Sequence, residues 1–273
     1  MPVPPLGLLT ADPGKRQQYA VDPLLREGWA TLAGVLGAGA ALRFASETAI
    51  AWLRPDAAAA GAIGEVVGRI DAEGFVAVGA AVVRLGRADV RALWWWQLKR
   101  ATVERVLLLD AVAGLGPGLL VLYRHPDGDP AQRLTRLKGG NDPDGRAPDS
   151  LRSVAGSPNR LLTMVHTSDD PADVVRELAV FLPWRECAAL VAAAWACGSP
   201  ASSSAVLDVP LAAVRSAYAG RRGDGVCVRA PQRRGDAFAA LLGDIAVPDV
   251  TRRWPAVAQW SWQVPLLAGG QPG

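Results

Sequence analysis

The chain has 273 residues, half of them hydrophobic and a fifth charged, so a packed core is feasible and global disorder is excluded. The net charge of +3 is spread thinly, with no Lys/Arg block interleaved with aromatics, so nucleic acid is not an expected partner, whereas an arginine-lined pocket for a phosphorylated small molecule fits. Cys187, Cys197 and Cys227 are odd in number and form no CxxC pair, which argues against a disulfide framework or a zinc site. The apolar runs 29–42 and 187–197 are too short to span a bilayer, and no secretory signal is evident at the start of the chain. The expectation is a cytoplasmic protein with no membrane partner.

Residues 1–18 read as a loose arm of prolines, glycines and polar side chains. Asp22-Pro23 is a helix start, with the aspartate as cap and the proline at the first helical position. That helix runs through Leu24, Leu25, Trp29 and Leu32, and the glycine-rich segment 34–39 ends it. The apolar run 48–53 is a buried strand stopped by Arg54-Pro55-Asp56. Ile63, Val66, Val67 and Ile70 recur at helical spacing up to Glu73-Gly74. A strand over 75–85, a helix over 88–109 and a third strand over 119–123 follow. Residues 139–158, dense in Gly, Pro, Asp and Asn, form a long loop of the kind that is usually functional or disordered. A fourth strand over 161–165 and a helix over 171–181, capped by Asp170, complete a split βαβ pattern. This predicts a ferredoxin-like α+β fold, an antiparallel sheet with helices on one face. Residues 198–204 are a linker, 207–218 and 236–242 read as helices, 225–229 as a short strand, and the tail carries Trp254, Trp260 and Trp262.

Chemistry concentrates at His166, at a strand end before Thr167-Ser168-Asp169. Covalent phosphoryl transfer needs a nucleophile with a fixed tautomer, set by a carboxylate or hydroxyl on the other ring nitrogen. Ser168 and Glu177 are the nearby residues of that type. The other histidine, His125, lies in a polar turn and reads as solvated.

Five segments, in order, resemble the nucleoside diphosphate kinase family. Leu53-Arg54-Pro55-Asp56 before Ile63-Gly64-Glu65 is similar to its strand-KPD-helix opening, and Asp71-Ala72-Glu73-Gly74-Phe75 to its helix–strand junction. Gly116-Pro117 is similar to the pair before its third strand. Gly139-Gly140-Asn141-Asp142-Pro143 with Ala147-Pro148-Asp149-Ser150-Leu151-Arg152 resembles its phosphate loop, and His166-Thr167-Ser168-Asp169 with Glu177 its nucleophile motif. The resemblance covers about half the chain. It implies a phosphohistidine at His166, a ring oriented by Ser168 and Glu177, and phosphate held by Arg152 and by Arg133 or Arg136. Asn141 joins the nucleotide site through the phosphate-loop match. The resemblance also implies ATP or another nucleoside triphosphate with Mg2+ as substrate, a separate phosphate acceptor, and a homo-oligomer.

The departures from the pattern are as informative. Arg54 replaces a lysine and Thr163 an asparagine, and both of those family residues serve the sugar hydroxyl; arginine and lysine are not interchangeable at a close phosphate contact. Trp94, within Trp94-Trp95-Trp96, falls near the family's tyrosine, and the base-stacking phenylalanine has no aromatic counterpart. Three segments are therefore expected: an N-terminal arm and helix over 1–45, a kinase-like domain over 46–184 and an appendage over 185–273. The implied function is a phosphotransferase with an altered acceptor, set against a non-catalytic nucleotide- or protein-binding member of the same fold.

Overall fold

A computed structural model describes residues 3–197 and 203–219. The chain opens with four helices, α1 (Leu6–Leu9), α2 (Pro13–Tyr19), α3 (Pro23–Leu36) and α4 (Ala38–Glu47). Then come β1 (Ala49–Leu53), α5 (Pro55–Ala59), α6 (Ile63–Ala72), β2 (Val76–Val83), α7 (Arg87–Leu93), α8 (Trp95–Leu98) and α9 (Val103–Ala113). β3 (Gly118–Arg124), α10 (Pro130–Lys138), α11 (Leu151–Val154), β4 (Val165–Thr167), α12 (Pro171–Phe181), α13 (Trp184–Ala196) and α14 (Ser204–Ala219) complete the described chain. The four strands form one sheet in the order β2-β3-β1-β4, with every neighbouring pair antiparallel. That is the ferredoxin-like order expected from the sequence.

Helices cover both faces of this sheet, not one. β1 is buried along its whole length and alternates between two cores. Ala49, Ala51 and Leu53 join Leu119, Val121 and Tyr123 under α6 and α14, whereas Ile50 and Trp52 join Leu120 and Leu122 under α3, α4, α12 and α13. The N-terminal helices and the start of the appendage thus supply the second layer. Each fully buried Leu, Ile or Val in these layers contributes roughly 1.5–3 kcal/mol.

Asp22 and Asp170 cap α3 and α12 as expected, each accepting backbone N–H bonds. α3 can lie against α12 because Gly28 has no side chain, and a Cβ there would stand 2.0 Å from the carbonyl oxygen of Val175. Gly37, at φ +79°, ends α3 but also starts α4, a helix the glycine-rich composition concealed. The expected helix over 88–109 is three helices, because Trp94 leaves helical geometry and Thr102 recaps α9 by accepting from Arg105 N–H. α14 corresponds to the expected helix over 207–218, and its Tyr218 hydroxyl donates to Pro117 O. The expected elements over 225–229 and 236–242 and the tail tryptophans lie outside the described residues. His125 is packed instead of solvated, edge-on to Phe75 and bonded through Nε2 to Glu73 O.

Candidate active site

The fourth strand begins later than its apolar run predicts, and side chains are the reason. Asn159 Oδ1 accepts the N–H groups of Leu161 and Leu162, and Asp56 Oδ2 accepts that of Met164. These donors are unavailable to a ladder, so pairing starts at Val165. The turn before it is tight: Val165 N–H donates to Thr163 O at 2.6 Å across Met164, which sits at φ +62°. That γ-turn-like conformation is strained for a side-chain-bearing residue and costs on the order of 1–3 kcal/mol. Asp56 on Met164 N–H, and Arg54 N–H on Met164 O at 3.0 Å, hold it in place.

The turn delivers His166 to a fixed place in β4, opposite Trp52 of β1. Its ring lies edge-to-face with Trp94 at 5.7 Å and 6.3 Å from Phe181. Nε2 is 2.8 Å from Glu177 Oε1 on α12. A carboxylate on Nε2 selects the tautomer with the proton there and leaves the lone pair on Nδ1. Glu177 is buried, and desolvation pushes its carboxyl above the usual carboxylate range; His166 is the main opposing influence, and Asp173 and Asp169 push it up further.

Ser168 does not join this pair. Its hydroxyl accepts the N–H of Ile50 at 3.0 Å, its own N–H donates to Ile50 O, and Glu177 Oε2 is buried without a hydrogen-bond partner among the described residues. The expected three-residue arrangement is a His166–Glu177 dyad, with Ser168 anchoring the strand beside it.

Arg54 and Thr163, the two departures from the family pattern, are bonded to each other. Arg54 Nη1 donates to Thr163 Oγ1 at 2.6 Å and Nη2 to Leu161 O at 3.3 Å, while Nε stands 3.1 Å from Asp56 Oδ1. The guanidinium is 2% exposed and lies 5.7 Å from the Trp94 ring centre. It is committed inside the protein, not presented to a ligand. Trp94 is half-buried between Arg54 and His166 and walls the site, while Trp95 is exposed and Trp96 donates to Asp22 at 3.2 Å.

Arg152 behaves differently. It donates to Gly139 O at 2.8 Å and to Val165 O at 3.3 Å, next to His166, and among the described residues no carboxylate lies within ion-pair distance. Burial lowers its guanidinium to about 10, with Arg54 and Arg146 adding to the effect. Arg146, which the sequence reading passed over, laces the long loop by donating to the carbonyls of Gly140, Asn141 and Ser157. Asn141 is exposed and joins that lacing through its backbone carbonyl.

Of the two α10 arginines, Arg133 turns back to Gly128 O and Asp127, and Arg136 is exposed with no ion-pair partner among the described residues. The α10 side chains that reach the nucleophile strand are Thr135, bonded to Thr167, Ser168 O and Asp169, and Lys138, whose Nζ is 3.2 Å from Asp169. Among the described residues no three His, Cys, Asp or Glu side chains converge as metal ligands. Arg152 and Lys138, on either side of His166 along the chain fold, are cationic donors of the type that suits phosphate oxygens. No helix among the described residues is long and apolar enough to cross a membrane.

A family model for nucleoside diphosphate kinase matches residues 47–187. The chain is similar to a nucleoside diphosphate kinase of Rhodococcus opacus (strain B4), 30% identical over 139 residues, which is 50% of this chain and 96% of that protein. It is also similar to one of Bordetella avium (strain 197N), 31% identical over 133 residues, 48% of this chain and 89% of that protein. Among solved structures, the Aquifex aeolicus nucleoside diphosphate kinase superposes with a TM-score of 0.44 at 21% identity, covering 50% of this chain and 95% of that one. A halophilic nucleoside diphosphate kinase from Halobacterium salinarum in complex with CDP gives 0.39 at 20% identity, covering 45% and 78%.

Proposed function

Because the chain belongs to the nucleoside diphosphate kinase family, we propose that it moves the terminal phosphoryl group of a nucleoside triphosphate through a phosphohistidine at His166. The family carries nucleotide phosphotransfer as its general chemistry; the nucleophile, the donor and the acceptor are the proposal. The observation that carries it is the bond at 2.8 Å between half-buried His166 and buried Glu177, which leaves Nδ1 as the nucleophilic nitrogen.

In the first half-reaction the Nδ1 lone pair attacks the terminal phosphorus. The N–P bond forms as the bond to the bridging oxygen breaks, and the nucleoside diphosphate leaves with that electron pair. The proton on Nε2 stays in its bond to Glu177, whose carboxylate balances the charge that grows on the ring. In the second half-reaction an acceptor oxygen attacks the phosphorus, the N–P bond returns its electrons to Nδ1, and the acceptor's proton passes to solvent. Such transfers depend on positioning and charge neutralisation more than on acid–base work. Arg152 is the residue best placed for neutralisation, since it bonds the carbonyl just before His166 and has no counter-ion among the described residues.

The Arg54–Thr163 bond supports an altered acceptor. Side chains that read a sugar in the family are here spent on each other, so ordinary nucleoside diphosphates meet fewer hydrogen bonds. Each missing bond costs on the order of 1–3 kcal/mol, roughly 5- to 150-fold.

The test is incubation with magnesium and radiolabelled ATP. The expected product is an acid-labile, base-stable phosphoprotein that His166→Ala abolishes. A protein that binds MgATP and never takes up phosphate would sink the proposal in favour of a non-catalytic binding member of the fold.

A further inference from the structure

Resting on the phosphotransferase reading, we infer that Lys138 is the cation of α10 that grips the terminal phosphate, with Asp169 holding the ammonium in the nucleotide-free protein. The sequence offered Arg133 and Arg136 for this task. Arg133 is occupied by the turn at Gly128, and Arg136 faces solvent. Helical spacing explains why Lys138 succeeds them. It lies one turn after Leu134, which is fully buried, so both point to the same packed face. Its stem is buried, and Nζ emerges 3.2 Å from Asp169 Oδ1, three residues past the nucleophile. Arg152 reaches Val165 O, one residue before the nucleophile. The two cations therefore flank His166 from opposite ends of β4.

The ammonium is also unfinished. It carries three N–H donors, and Asp169 Oδ1 is its one hydrogen-bond acceptor among the described residues. Asp169 is itself 57% exposed and also accepts from Thr135, so it can keep a partner when the lysine turns away. Burial works against the charge on Lys138, with Asp169 opposing that and Arg152 reinforcing it. A phosphate dianion supplies what one shared carboxylate leaves short. Lysine, a compact point charge on a flexible stem, can swing from one acceptor to the other, whereas the forked Arg54 and Arg152 are pinned at several points.

The experiment is calorimetric titration of the full chain with MgATP and, separately, with adenosine, which lacks the phosphates. Lys138→Met is expected to weaken MgATP about tenfold, the loss of one charge-assisted bond, and to leave adenosine unchanged. MgATP binding by Lys138→Met as tight as by the unmutated protein overturns the inference, and so does finding the loss in Arg136→Ala instead. Should Lys138→Met fail to fold, the unmutated protein labelled with 15N at its lysines, Lys15, Lys99 and Lys138, gives the answer. The Lys138 Nζ resonance must move when inorganic tripolyphosphate is added, and a resonance that stays put overturns the assignment. An unmutated protein that binds no MgATP defeats the phosphotransferase reading itself, an outcome separate from a failure of Lys138 alone.

Discussion

Returning Arg54 and Thr163 to the family's lysine and asparagine tests whether these two positions work as one unit. Arg54→Lys alone gives up the bonds to Thr163 at 2.6 Å and Leu161 O at 3.3 Å but keeps a positive charge near Asp56. At a position 2% exposed the net cost is about 2–3 kcal/mol. Thr163→Asn alone pushes a larger amide into a site 7% exposed against an unmoved guanidinium, at about 1–3 kcal/mol of overpacking. Simple addition gives a loss of about 3–6 kcal/mol. In the double variant the shorter lysine makes room for the longer asparagine, whose oxygen takes the freed ammonium. The loss expected is then only about 2–3 kcal/mol, a coupling of about 1–3 kcal/mol. Urea unfolding of the full chain and its three variants measures this, provided the denaturant slope is unchanged. Additivity to within about 0.5 kcal/mol refutes the claim that the two side chains are partners. The same double variant should exchange phosphate among ordinary nucleotides faster than the parent. Rapid exchange by the parent across all common diphosphates would contradict the altered-acceptor reading.

Three further outcomes follow from the same geometry. Glu177→Gln keeps an acceptor for Nε2–H but removes the charge, so phosphohistidine formation should fall on the order of 10²-fold in rapid-quench measurements, and an unchanged rate would remove Glu177 from the mechanism. Burial raises the Glu177 carboxyl, so the native state binds its proton more tightly than the unfolded chain; the stability of the parent relative to Glu177→Gln should therefore drop as pH rises from the ordinary value of 4.5 through the raised one, read by thermal unfolding across that window. Lys15 is held charged against its burial by Asp173 and Asp170; Lys15→Met should cost about 1–2 kcal/mol at neutral pH after allowing for solvent screening, and the deficit should shrink in acid as the stranded carboxylates take up protons. A deficit independent of pH would mean the lysine acts through packing alone.

The fold was legible where apolar runs ended in strong punctuation. β1 stops at Arg54-Pro55 and α12 starts at Asp170-Pro171, and both stand where the sequence puts them. The His166–Glu177 pair was legible too, because residues eleven apart across a strand–turn–helix are brought together by local geometry. Helix α10 was missed because its outward residues are polar and its apolar contribution to the core is small, chiefly Ala131 and Leu134, too short a stripe to mark a helix. The late start of β4 was hidden because its missing donors are taken by Asn159 and Asp56, and the Asp56 carboxylate lies 108 residues away. The partners of Arg54 and Arg176 stand 109 and 154 residues distant, separations that no periodicity encodes. Ser168 carries a bond that motif spacing does not reveal: its hydroxyl accepts the N–H of Ile50 in β1, 118 residues away.

The stretch that matches the family and the stretch that can stand alone are different lengths of this chain. Arg176, beside Glu177, donates to Asp22 at 2.7 Å and to the carbonyls of Leu93 and Ala92 just before Trp94, and Asp22 also takes the indole N–H of Trp96. A gene fragment cut to residues 47–187 would keep Arg176 and lose Asp22, leaving a buried cation with no anion and stripping α3 from the sheet. Breaking such a pair costs about 3–5 kcal/mol before any lost apolar burial is counted, a large share of the stability of an ordinary domain. Inheritance is read along 47–187, but cooperative unfolding will be read along a longer unit that begins near the first helix, and expression trials designed from homology alone will select the wrong one.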